Sequence, residues 1–236
     1  MFGAAPTATT LVQTPDALAF MERAGMKTGR KVLLGDPAKY DGRALNPINE
    51  GHAALEEGVK KIADIVKDET RRHNPVLQHE AAEQVANRVV ATLERSQASL
   101  ANLAATVDGE YDAAVAEGFA LRSGRDTIHA EMRAFIKETA KKEDGLNEIR
   151  RIIAKDHEAA AVVVNSPAWL MGLADDAHSS MIGEALRHHL PKAIESLVQG
   201  QELAKLAAKY PAVIAGVRRS FYTTAIADRS RTRVEV

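Results

Sequence analysis

Residues 74–107 read NPVLQHEAAEQVANRVVATLERSQASLANLAATV. Within them Leu77, Ala81, Val85, Val89, Leu93, Ser96, Leu100, Leu103 and Val107 recur every three or four positions. That spacing gathers side chains on one face of an α-helix. The Asn74 side chain can accept a hydrogen bond from one of the unpaired N–H groups of a helix start. Pro75 suits the first helical position, where its missing N–H would have had no partner. The stretch predicts roughly 30 residues of helix, about 45 Å at 1.5 Å per residue. That is longer than a compact domain of this size needs, with a radius of gyration of about 17–18 Å.

The same cap-then-proline signal occurs at Thr14-Pro15, Asn46-Pro47 and Ser166-Pro167. It predicts a helix from Pro15 to Ala24, stopped by Gly25, and another from Pro47 to Arg72 with Leu55, Val59, Ile62, Ile65 and Val66 inward. Between them, residues 26–46 lose periodicity and carry Gly29, Gly35, Pro37 and Gly42, which reads as an extended arm in which Val32-Leu33-Leu34 could form a short strand. Asp108-Gly109 is a candidate interruption of the long helix, and Gly118 to Gly124 reads as a turn. A helix over Asp126–Lys142 would point Ile128, Met132, Phe135 and Ile136 inward, and another from Asp144 could run on through the apolar stretch Ala159–Val164. Ser166-Pro167 opens a segment with Trp169, Leu170 and Leu173, and helices over Met181–Leu190, Ala193–Tyr210 and from Pro211 follow.

The expected fold is therefore all-α: an elongated multi-helix bundle with an irregular N-terminal arm and a flexible basic C-terminal tail. The expected division is residues 1–46 (short helix plus arm), 47–120 (long antiparallel helical pair), 121–227 (helical bundle) and 228–236 (tail).

Composition narrows the function classes. The chain has 236 residues, 31 Lys plus Arg against 32 Asp plus Glu, and 4% aromatic residues. A near-neutral balance lacks the overall basic excess of a nucleic-acid-binding domain. There is no Cys, which excludes disulfides and thiolate metal sites. Residues 1–12 lack the basic and then apolar runs of a signal peptide. No stretch approaches the ~20 apolar residues of a membrane span. A cytoplasmic location, or assembly into a particle made in the cytoplasm, is expected, with no membrane partner.

Few residues suggest chemistry. His79-Glu80 and His157-Glu158 begin like the zinc-protease helix motif but lack its second His one turn on. Asp126/His129 and Asp175/His178 are Asp-x-x-His pairs whose spacing shares one helix face, so they are the metal-ligand candidates. Position at a helix start explains both Asp residues without a metal, through capping and the helix dipole. His188-His189 beside Pro191 is a candidate pH-sensitive spot. No phosphate-cradling glycine loop or Gly-x-Ser-x-Gly elbow occurs. No catalytic residue and no cofactor is assigned.

The interaction candidates are cations at the two ends: Arg30, Lys31, Lys39 and Arg43 in the arm, and Arg229, Arg231 and Arg233 in the tail. The leading expectation is a non-enzymatic structural or assembly protein acting as an oligomer, specifically a bacteriophage-like virion or head-to-tail component. Its partners would be further copies or other protein subunits. One alternative is a helical-bundle metal-binding protein or enzyme using Asp126, His129, Asp175 and His178. The other is a nucleic-acid-associated protein using its basic ends.

Overall fold

The computed structural model describes residues 10–40, 42–71 and 73–230. Among the described residues every regular element is a helix: α1 (Pro15–Gly25), α2 (Lys27–Leu34), α3 (Gly42–Lys67), α4 (Pro75–Gly118), α5 (Asp126–Thr139), α6 (Gly145–Lys155), α7 (His157–Val164), α8 (Asp175–His189), α9 (Pro191–Ala207), α10 (Tyr210–Phe221) and α11 (Thr224–Ala227). Short 3-10 turns occupy Pro37–Lys39, Ala168–Met171 and Asp228–Ser230.

Two of the four cap-then-proline signals start helices as expected. The Thr14 hydroxyl accepts from the Ala17 N–H at 3.3 Å, and the Asn74 side chain accepts from the Leu77 N–H at 3.3 Å. Pro47 instead lies inside α3, which begins five residues earlier at Gly42. Ser166-Pro167 leads into a 3-10 turn rather than an α-helix.

The arm expected over residues 26–46 is largely helical. Lys27–Leu34 forms α2, including the three residues considered for a strand. The glycine that suggested irregularity has another use: a Cβ on Gly29 would collide with the backbone carbonyl of Arg23. Glycine lets α2 fold back directly against the end of α1. Gly145 serves the same purpose at the start of α6, where a Cβ would strike the Thr139 carbonyl.

Residues 108–109 do not interrupt α4, which continues to Gly118. The apolar run to Val164 is a separate helix from the one before it. Asp156 ends α6 and caps α7, its carboxylate accepting from the N–H groups of Glu158 (2.8 Å) and Ala159 (3.0 Å).

Contacts group the chain into two compact units: residues up to 104 with those from 202 onward, and residues 105–201. This differs from the expected boundary near 120, because the last helices return to the first unit's core rather than joining the bundle before them.

In the first unit α3 and α4 run antiparallel. The Gln78 amide donates to the Ile65 carbonyl at 3.4 Å; a Cβ on Gly58 would lie 2.6 Å from Val89, and one on Gly51 would lie 3.5 Å from Leu93. Ile48, Leu55 and Ile62 of α3 meet Val89, Leu93 and Leu100 of α4, and Leu203, Tyr210, Val217 and Phe221 complete this core. In the second unit Phe119, Ile136, Ile149, Ile153, Val163, Met171, Met181 and Ala185 form a separate core. There α6 packs on α7 and α8, and α5 on α7 and on the Ala168–Met171 turn.

Candidate interaction surface

The cations expected to form a contact surface have divergent fates. Arg30 is only 6% exposed. Its Nη1 donates to the carbonyls of Ala24 (3.0 Å) and Gly25 (2.9 Å), and its Nη2 to Glu56 at 2.6 Å. It therefore closes the C-terminal end of α1, whose last carbonyls lack partners within the helix, and is not a surface contact. Lys31 pairs with Asp36 at 3.0 Å. That bond, with the Ala38 N–H, holds the Asp36 carboxyl below the usual carboxylate range. Lys39, Arg43 and Arg229 are exposed. Arg231 and Arg233 lie outside the described residues.

The Asp-x-x-His pairs sit at the starts of α5 and α8, but their imidazoles are engaged elsewhere. His129 is 2% exposed. Its Nε2 lies 3.1 Å from Glu158, whose other oxygen accepts from Arg125 at 2.9 Å. The His178 Nε2 donates to the Val163 carbonyl at 2.9 Å. Asp126 and Asp175 are exposed in the first turns of their helices, where carboxylates are favoured by the dipole. Among the described residues no group of three or more His, Asp or Glu side chains could hold a metal ion.

His189 donates to the Ile153 carbonyl at 2.6 Å. It also meets His157 edge-on at 5.1 Å between ring centroids, while His157 stacks on the buried Phe119 at 5.4 Å. Nothing in the local sequence brings His157 and His189 together; the packing of α6, α7 and α8 does.

The feature that sequence reading missed is apolar and outward-facing. On α5 the core takes His129, Ile136 and Thr139. Ile128 and Phe135, expected to point inward, are exposed, and Met132 is half-buried between the two faces. Residues 128, 132 and 135 are four and three positions apart, so they form one stripe about a quarter-turn from the buried one. The adjacent Ala168–Met171 turn anchors on α5's unit through buried Ala168 and Met171. That leaves Leu170 exposed and Trp169, the chain's sole Trp, 75% exposed beside α5. The sequence carried no signal for this face: Ile128, Met132, Phe135 and Ile136, at i, i+4, i+7 and i+8, read as a single inward stripe. Arg133, Lys137, Glu131 and Glu138 add both signs of charge on the same helix.

No protein-family model matches the chain, and no curated protein or solved structure shows a significant likeness to it. No helix among the described residues is long and apolar enough to cross a membrane.

Proposed function

We propose that this chain is a non-enzymatic helical assembly protein that works as an oligomer through the outward face of α5 and the Ala168–Met171 turn. The observation that carries the reading is Trp169, 75% exposed on the turn that packs against α5, a helix that itself leaves Ile128 and Phe135 exposed. Aromatic anchors among apolar neighbours supply most of the binding energy of protein interfaces, and contiguous exposed apolar surface usually marks an interaction site. Charges of both signs on α5 suit a self-complementary contact between two copies. The finer reading, a bacteriophage-like virion or head-to-tail component, is supported by the long amphipathic α4 and a sequence without a recognisable catalytic motif.

Trp169 makes the test direct, because it is the chain's one indole. Light scattering across a concentration series should give a defined multiple of 25.5 kDa, with the tryptophan emission shifting to the blue as mass rises. Substituting Trp169→Ser and Phe135→Ser together should weaken association by about a hundredfold or more while leaving the circular dichroism unchanged. A constant 25.5 kDa mass, with emission typical of a hydrated indole at every concentration, would remove the basis for the reading.

A further inference from the structure

The first unit holds a groove of about 670 Å³ between α1, α2 and α10, within the range of small-molecule sites. α1 lies antiparallel to α10. The Thr10 hydroxyl reaches the Ser220 carbonyl at 3.3 Å, and Phe20 lies so close over Gly216 that a Cβ there would collide with its ring. Continuing along α1 in that register brings Arg23 toward the α10 start, where Lys209 stands. Asp16 falls at the opposite end with Arg219.

The groove's apolar lining comes from Phe20, Val32, Leu33, Ala212, Val213 and Gly216. Val32 is 72% exposed, which puts an aliphatic side chain at the groove's mouth. Three cations line the same space, Arg23, Lys209 and Arg219, against one acid, Asp16. None of the three cations has an ion pair among the described residues. The Arg219 Nε donates to the Ala215 carbonyl of its own helix at 3.3 Å, and the side chain is exposed. An apolar cleft edged with one sign of charge concentrates ligands of the other sign.

We propose that this groove binds an amphipathic organic anion, with an acyl or aryl body lying over Phe20, Leu33 and Val213 and an acidic head group held between Arg23 and Lys209. The acidic head matches the net positive lining, and a compact apolar body matches a floor built from side chains no larger than Phe. Gly216 is part of the recognition: without a side chain it lets Phe20 settle against α10 and keeps the floor open. This site is separate from the α5 face, and neither proposal depends on the other.

The test is titration calorimetry of the full chain with sodium decanoate, with 1-decanol as the uncharged control. One saturable site per chain is expected for decanoate, weakening as salt is raised. Arg23→Gln and Lys209→Gln should each weaken it about tenfold. Ala212→Trp, which fills the groove from an exposed position on α10, should abolish binding without changing the thermal melt. Decanol should bind at least tenfold more weakly than decanoate. Lack of saturable decanoate binding overturns the proposal. So does equal binding of decanol, or decanoate affinity indifferent to both the charge substitutions and Ala212→Trp.

Discussion

Two buried polar residues show how single side chains join distant parts of the chain. Arg30 was legible as a cation, and its place in a glycine-containing basic run suggested a surface role. The side chain goes inward because α1 ends beside it with carbonyls to satisfy. His79 has a comparable internal task. It is 6% exposed, and its Nδ1 accepts from the Thr223 N–H at 2.9 Å, a bond that only the unprotonated nitrogen can accept. Burial pulls the pKa of His79 below the ordinary histidine value, and burial does the same to His52 despite its bond to the Gly35 carbonyl. Well above about pH 6.5 both rings are neutral in folded and unfolded chains alike, so neither makes stability depend on pH there. As pH falls below that value, the unfolded chain takes up protons that the folded chain resists. Stability then declines until the folded pKa values are passed. Urea unfolding at pH 7.5, 6.5 and 5.5 should show this loss, at most about 1.4 kcal/mol per pH unit for each proton. His79→Gln, which keeps an acceptor for Thr223 but cannot titrate, should flatten the decline. An identical pH dependence in wild type and variant would show that His79 is not one of the groups responsible.

At the scale of elements, the periodicity of residues 74–107 was sufficient to place α4's apolar stripe, because one face of a long helix must be covered. Of the expected stripe Val85, Val89, Leu93, Ser96, Leu100 and Val107 are buried, Ala81 and Leu103 are half-buried, and Leu77 in the first turn is exposed. Helix joints were less legible, since a glycine that breaks a helix and one that lets two helices touch are the same letter. Gly29 and Gly145 belong to the second kind, and only the neighbouring carbonyls of Arg23 and Thr139 reveal it. Gly145→Ala is the sharper test. Its added methyl meets backbone, which cannot swing aside as a flexible side chain can. The gain in helix propensity, about 1 kcal/mol, should be outweighed, with a net loss of about 1–3 kcal/mol from overpacking in chemical denaturation. A more stable variant would mean that the α5–α6 joint relaxes at little cost. The outward stripe of α5 was hidden for a related reason: periodicity finds an apolar face but cannot choose between two adjacent ones, and Ile128 and Phe135 were assigned to the core that Ile136 occupies.

For the molecule as a whole, all-α character was legible because local periodicity and capping suffice to specify it. The partition was not, because it depends on contacts between residues far apart in sequence. The chain leaves the first unit within α4 and returns to it within α9. Phe221 and Val89 both approach Gly58, Tyr210 packs at Gly51, and Leu206 packs at Gly35, so the first unit's core draws on both ends of the sequence. The second unit's core is supplied entirely by residues 119–186, within one continuous segment. Different folding requirements follow. A fragment of residues 105–201 should fold alone, since it contains every member of its core and is about the usual size of a domain; its thermal transition by circular dichroism should be cooperative. Residues 1–104 alone should not fold cooperatively, because they lack Leu203, Tyr210, Val217 and Phe221, and adding a peptide of residues 202–236 should restore structure. Cutting α4 and α9 frays the new ends, which lowers the fragment's melting temperature but leaves its core intact. A non-cooperative 105–201 fragment would show that the second core requires the first, and that the inserted segment is not an independent folding unit.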